Sequence, residues 1–286
     1  MKFEHHRPIV VLVALTVAAV SPAAAAAAVY GGSTSGDAPI AITLAKSGKL
    51  KKVAVDWMGL CDSGSRYPFG GVLAAVAKRP AVISPGVNPL IGSIKKGRLK
   101  ATALGSETLG DGMSAAITQQ VTGKFKPASA SGRWSAHVDI LDAEGNVVDR
   151  CNTGVLRWSA RRGPNVYGGS TTQGEPVVIQ TSKDRSRLAY MGFGWHASCS
   201  PSGFVAFAEE FSNFPVTDNG AFGDQWTSDY PFTDGTGKNS FSYNVTGKLT
   251  KAGGSGSLSV DLVSTDSDGA TTSSCHTNRV RWSVAH

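Results

Sequence analysis

The sequence predicts an all-β protein of two tandem antiparallel β-sandwich domains, each with one disulfide, and barrel-like closure as the alternative for the same strands. Three observations lead there. Short runs of Val, Ile and Thr alternate with polar residues, a series of motifs occurs twice in one order, and each copy carries two Cys. The 286 residues are 41% hydrophobic and 17% charged, with 34 Gly. That length suits one large domain or two ordinary ones, and the apolar content builds a core and excludes wholesale disorder. Four Cys are too few for a disulfide-dense scaffold.

Residues 1–28 read as a secretory signal peptide. Lys2 and Arg7 give a basic start, Ile9 to Val20 an apolar core, and Ala23 to Ala28 several Ala-x-Ala cleavage choices. The apolar core is about a dozen residues, short of the roughly 20 that span a bilayer. Cleavage near Ala28 leaves a secreted, extracytoplasmic chain without a transmembrane segment. Its net charge is one unit below the +7 of the full sequence.

The repeat decides the architecture. Tyr30-Gly31-Gly32-Ser33-Thr34 recurs as Tyr167-Gly168-Gly169-Ser170-Thr171, and each copy continues to a Pro and an apolar alternation, Pro39 to Ile42 and Pro176 to Ile179. Trp57 precedes Cys61 as Trp195 precedes Cys199. Val121 to Lys124 matches Val245 to Lys248, and Val138 to Leu141 matches Val260 to Val263. Cys151-Asn152-Thr153 leads to Arg157-Trp158-Ser159, and Cys275-His276-Thr277 to Arg281-Trp282-Ser283. Two units are too few for a solenoid, so each owns a core. The boundaries read 29–160 and 167–286, joined by a linker at 161–166.

Within each unit, runs such as Ile40–Leu44, Val53–Trp57 and Leu258–Val263 read as strands. Turns read at Lys46-Ser47-Gly48, at Asp142 to Asn146, and at Asp266 to Gly269. About seven or eight strands per unit are expected. Only Val72–Lys78 and Phe204–Phe211 pass as short helices. Of the three pairings open to four Cys, the repeat selects Cys61–Cys151 and Cys199–Cys275, so that each unit closes on itself. Export makes their oxidation natural. Closely spaced Cys or His pairs, as zinc requires, are missing from residues 29–286, and no metal or cofactor is expected.

The repeated pattern opens on Tyr-x-Gly-x-Thr, with a mid-unit Cys and a Gly-led strand (Gly97-Arg98-Leu99, Gly220-Ala221-Phe222). It closes on Cys-x-Thr followed by Arg-Trp-Ser. The pattern resembles a secreted β-domain common in exported proteins of high-GC actinobacteria, alone or in tandem, and covers residues 29–286. The resemblance implies export and an all-β fold, and brings no activity or catalytic residue.

Chemistry is sparse. A hydrolase needs a nucleophile, a base and an orienting group. After signal removal the His are His137, His196, His276 and His286, none with a counterpart in the other copy, and each reads as an ordinary strand or loop residue. No Gly-x-Ser-x-Gly elbow occurs. Asp139 and Asp261 are equivalent and in separate units, which does not give a glycosidase pair sharing one cleft. Asp266-Ser267-Asp268-Gly269 lacks the remaining ligands of a calcium loop and reads as a turn.

Two asymmetries between the copies stand out. Residues 29–166 hold 18 Lys+Arg against 9 Asp+Glu, a net +9, and residues 167–286 hold 8 against 11, a net −3. Lys46, Lys49, Lys51 and Lys52 form one cluster and Lys95, Lys96, Arg98 and Lys100 another, able to hold an anionic partner or to guard sheet edges. The second copy alone carries Trp226, Tyr230, Phe232, Phe241 and Tyr243 in its middle. Trp226, among Asp224, Thr227, Ser228, Asp229 and Pro231, reads as loop. Trp226, Tyr230 and Phe232 are the candidate ligand surface. The expected function is a non-catalytic binding or interaction module at the cell envelope or outside the cell, with a glycan or an anionic envelope polymer as partner. No specific nucleic-acid motif is present. A polysaccharide hydrolase or a purely structural or protective secreted protein are the alternatives.

Overall fold

The computed structural model of the chain describes residues 28–76, 88–109, 112–201 and 203–286. The expected signal peptide lies outside the described residues except for Ala28, the first residue of the first strand. The first unit holds β1 (Ala28–Thr34), β2 (Pro39–Leu44), β3 (Leu50–Cys61), β4 (Arg66–Val76), β5 (Pro89–Lys95), β6 (Arg98–Thr108), β7 (Ser114–Phe125), β8 (Ser129–Leu141), β9 (Val147–Asn152) and β10 (Leu156–Arg161). The second holds β11 (Val166–Thr171), β12 (Pro176–Thr181), β13 (Arg187–Ser200), β14 (Phe204–Phe211), β15 (Phe214–Pro215), β16 (Ala221–Pro231), β17 (Gly237–Leu249), β18 (Gly253–Asp266), β19 (Thr271–His276) and β20 (Val280–Ala285).

The chain is all-β, in two sheets, and the pairings settle the closure left open above. In the first unit β1, β2, β3, β9, β8 and β10 pair in a closed circuit. In the second, β11, β12, β13, β19, β18 and β20 do the same. This is barrel-like closure, which removes exposed edges from those strands. Cys61 pairs with Cys151 and Cys199 with Cys275 as disulfides. Each joins residues directly opposite in register, on the β3–β9 and β13–β19 contacts that complete the rings.

Among the described residues each unit contains ten strands rather than seven or eight, because long hairpins such as β6–β7 and β16–β17 extend the sheets beyond the rings. Both short helical candidates are strands. Val72–Val76 belongs to β4, with residues 77–78 outside the described residues, and Phe204–Phe211 is β14, fully paired to β13. Tertiary pairing overrides the helical propensity of these Ala- and Glu-bearing stretches. One pair, β4–β5, is parallel.

The buried residues of each ring and of the strands that extend it form separate cores. Ile40, Ile42, Val53, Val55, Trp57, Leu73, Trp134 and Val138 fill the first, and Val177, Ile179, Met191, Phe193, Trp195, Val245 and Val260 the second. A third, smaller cluster joins the units. Ala41 and Ala54 pack on Val178, with Val72 and Tyr190 at its border. This explains why β2 and the middle of β3 are buried at consecutive residues: one face lines the barrel and the other meets the second unit. The seam is close because its residues are small. A Cβ on Gly31 would crowd Val178, and one on Gly168 would crowd Ala41.

Candidate functional site

Two places gather polar chemistry, the seam between the units and one outer face of the first unit.

At the seam, Asp56 follows Val55 on β3, so its side chain points away from the first core and toward the second unit. It is 6% exposed. Opposite it stands Gly194, and a Cβ there would strike the Asp56 carboxylate. Glu175, 2% exposed, ends the β11–β12 turn. That turn is built by Thr171, whose Oγ1 accepts from the backbone N–H of Gln173 and Glu175 at 3.2 and 3.1 Å. A Cβ on Gly70 would collide with both Glu175 Oε2 and Asp56 Oδ1, so the two carboxyl groups share one small void. Both Asp56 oxygens and Glu175 Oε2 lack a donor among the described residues. Two like unit charges at such close range repel by roughly 4 kcal/mol at an effective dielectric of 20. Burial first, then the charge of Glu175 and hydrogen bonding to it, hold the Asp56 carboxyl well above the usual carboxylate range.

Glu175 also orients His196, whose Nδ1 lies 2.6 Å from Glu175 Oε1. Gln173 clamps the same residue, donating Nε2–H to the His196 carbonyl at 2.6 Å and accepting its N–H at 3.2 Å. The His196 ring rests on Phe204, with centroids 5.3 Å apart. A cleft of about 460 Å³ lies beside this row, lined in part by Phe69, Glu107, Gln173, Glu175 and His196. A second hollow of about 230 Å³, with Asp37, Asp56, Met58 and Phe207, adjoins it. Neither is lined by Lys or Arg among the described residues. By local sequence pattern His196 is an ordinary strand residue, and neither Asp56 nor Glu175 stands out. The available signal was their mismatch with the other copy, where Gly194 stands at the place of Asp56 and Ala38 at the place of Glu175.

The outer face of the first unit is set by register. Lys95 stands opposite Arg98, and Arg98 opposite Lys124. Lys100 faces Thr122, Thr122 faces Arg133, and Arg133 faces Arg157. Directly opposed residues share a face, so Lys95, Arg98, Lys100, Lys124, Arg133 and Arg157 lie together on β5, β6, β7, β8 and β10, all exposed. Lys96 and Gly97 form the β5–β6 turn with φ of 49° and 71°, the pair of left-handed residues that a two-residue hairpin needs, and this holds Lys96 out at the tip. Among the described residues none of these cations has a carboxylate within salt-bridge reach. The second unit differs at the same positions: Ala221 faces Lys248, and Ser257 faces Arg281. Register puts Leu262, two residues beyond the sequence match at Val260, at the place of Val138, so Asp139 and Asp261 are not equivalent. A shallow groove of about 490 Å³ joins Arg133 and Arg157 to Ser33, Ser35, Ser131 and Ser159. In the other Lys cluster, Lys52 is half-buried, and burial, then Lys51, lowers its ammonium pKa.

The aromatic candidates do not form one exposed surface. Trp226 is on β16, not in a loop, and is half-buried. It stacks on Tyr243 at 4.9 Å and meets Phe211 and Phe214 at 4.3 and 5.7 Å. The polar loop-like composition around it belongs to an edge strand with exposed flanks, where a terminal Pro is tolerated. Phe241 and Tyr243 are core residues. Tyr230 is 54% exposed, and Phe232 is half-buried in the β16–β17 turn. The remaining His–carboxylate contacts, His137 with Asp139 and His276 with Asp261, are exposed pairs within their own units. Asp149 adjoins the Cys61–Cys151 bridge, but disulfide sulfurs offer no thiolate to a metal. Among the described residues no helix is long and apolar enough to cross a membrane.

Comparison with protein-family models, with curated proteins and with solved structures finds no match to this chain.

Proposed function

We propose that the chain is an exported, non-catalytic binding module whose first unit holds an anionic envelope polymer on the outer face of β5–β8 and β10. The observation that carries this reading is the register that sets Lys95 against Arg98, Arg98 against Lys124, and Arg133 against Arg157. Like charges directly opposed in a sheet destabilise it. Edge protection needs a charge at an edge, yet β7 and β8 are interior strands, each paired on both sides. A polymer of phosphate or carboxylate groups supplies the missing counter-charge along the face, and the Ser-lined groove at Arg133 and Arg157 adds hydroxyl donors. The disulfides fit an oxidising compartment.

The test uses polyphosphate and poly-glutamate as phosphate and carboxylate probes on the full chain at low and moderate salt. The expected result is binding that weakens steeply with salt and falls in a triple variant with Lys95→Ala, Arg98→Ala and Lys100→Ala. No binding at low salt, or binding indifferent to the variant, overturns the reading.

A further inference from the structure

Three titratable groups stand in a row across the seam: Asp56 from the first unit, then Glu175 and His196 from the second. The surrounding elements add Asp37 from the β1–β2 turn, Glu107 from β6, Tyr190 from β13 and Glu210 from β14, the last two joined by a hydrogen bond of 2.9 Å. Among the described residues no Lys or Arg faces the row from either adjoining hollow.

Asp56 and Glu175 present three buried oxygens, all acceptors, with no donor among the described residues. Acceptors left in this state require a cation. The oxygens are closed to a water-sized sphere, which shuts out a hydrated metal ion or an organic ammonium. A proton needs no such path. It turns one carboxyl into an O–H donor for the other and removes the repulsion between them.

We propose that Asp56 and Glu175 share a proton that latches the two units together, and that the seam loosens when this proton is lost. The groups come from different units, so the bond exists only while the seam is closed. Gly70 and Gly194 leave the space it occupies. His196 and Gln173 fix Glu175 and its turn from the other side, so the pair does not escape by rotating toward solvent.

The sign follows from linkage. Burial and Glu175 raise the Asp56 pKa in the closed form above its value in the opened form. The latch is therefore complete at and below the ordinary carboxylate range, and it is lost progressively as pH rises toward the raised value. One proton released on opening makes the opening equilibrium rise about tenfold per pH unit within that window.

The experiment is amide hydrogen exchange on the full chain across a pH series, corrected for the chemical exchange rate. Peptides from β2 and β12 at the seam are compared with β8 and β18. The expected result is seam opening that grows about tenfold per pH unit while β8 and β18 do not follow. In Asp56→Asn, whose amide donates to Glu175 without titrating, the dependence is expected to vanish. A wild-type seam indifferent to pH, or an unchanged slope in Asp56→Asn, overturns the proposal. Infrared spectroscopy of the wild-type protein at the low-pH end of that window, just above the ordinary carboxylate range, decides the matter even if the variant fails to fold. A protonated-carboxyl band supports the latch, and absence of the band overturns it. Tightening of the seam by added sodium, calcium or ammonium, without that band, identifies a bound cation and overturns it as well. None of these outcomes depends on whether the basic face binds a polymer.

Discussion

Arg133 and Arg157 face each other across β8 and β10, whereas Ser257 and Arg281 occupy the matching places on β18 and β20. This offers a mirrored perturbation. Arg133→Gln removes one charge and keeps much of the apolar stem, and Ser257→Arg installs the like-charge pair in the second unit. Opposed residues have Cβ atoms about 5 Å apart, and long side chains splay their charges to roughly 7 Å. Coulomb repulsion in water at that distance is about 0.6 kcal/mol. With a Debye length of about 30 Å at 0.01 M salt most of this survives, near 0.5 kcal/mol, and with about 8 Å at 0.15 M it falls to roughly half that. Arg133→Gln should therefore stabilise the protein by about 0.5 kcal/mol at low salt and about 0.2 at moderate salt. Ser257→Arg should destabilise it by similar amounts. Urea unfolding of both variants at the two salt concentrations measures this. Loss of stability in Arg133→Gln at low salt, or changes that ignore salt, would show that the basic face stores no repulsion. An anionic partner would then have no stored repulsion to relieve. If the argument holds, Arg133→Gln also lowers the dependence of log affinity on log salt for polyphosphate by about 0.7, the value of one phosphate contact on a flexible strand.

Removing a disulfide by paired Cys→Ala changes should cost nearly the same in either unit. The bridges are separated by 90 and 76 residues, and the loop-entropy relation gives about 4.5 kcal/mol for each as an upper value. A loss below about 1 kcal/mol for either pair in denaturant titration would contradict a closing role in its ring. Trp226→Ala should lower stability by about 2 kcal/mol, less than a fully buried Trp, because its ring is packed on Phe211, Phe214 and Tyr243. Unchanged stability together with lost glycan binding would reassign that ring from packing to ligand contact.

What the sequence made legible was whatever depends on local pattern. Alternation in Ile40–Leu44 and Val53–Trp57 marked strands, and the paired placement of Cys61, Cys151, Cys199 and Cys275 marked the bridges. Composition misled at the edge strands, which alternate only weakly between a part-buried and an exposed face. The surroundings of Trp226 read as loop, and Phe204–Phe211 read as helix. The basic face was half legible. Lys95, Lys96, Arg98 and Lys100 are neighbours along the chain, but Lys124, Arg133 and Arg157 join them only through hydrogen-bond register across β7, β8 and β10. No spacing rule within one strand contains that information.

Asp56 was hidden for a different reason. In an alternating strand, a polar residue between Val55 and Trp57 is the ordinary mark of a solvent face. Asp56 does lie on the outer face, but that face is covered by the second unit, so the residue is only 6% exposed. The same covering divides the first unit's outer surface. The part on β2 and β3, around Ala41, Ala54 and Asp56, faces the other unit, and the part on β5–β8 stays open. Two sets of charge changes between the copies fall one on each part. Asp56 and Glu175, where the other copy has Gly194 and Ala38, bear on the seam. Arg98 and Arg133, where the other copy has Ala221 and Ser257, bear on the open face. Residues that share no partner contribute nearly additively. Holding the units together and presenting the basic face are thus separable tasks, each carried by residues in which one copy departs from the other.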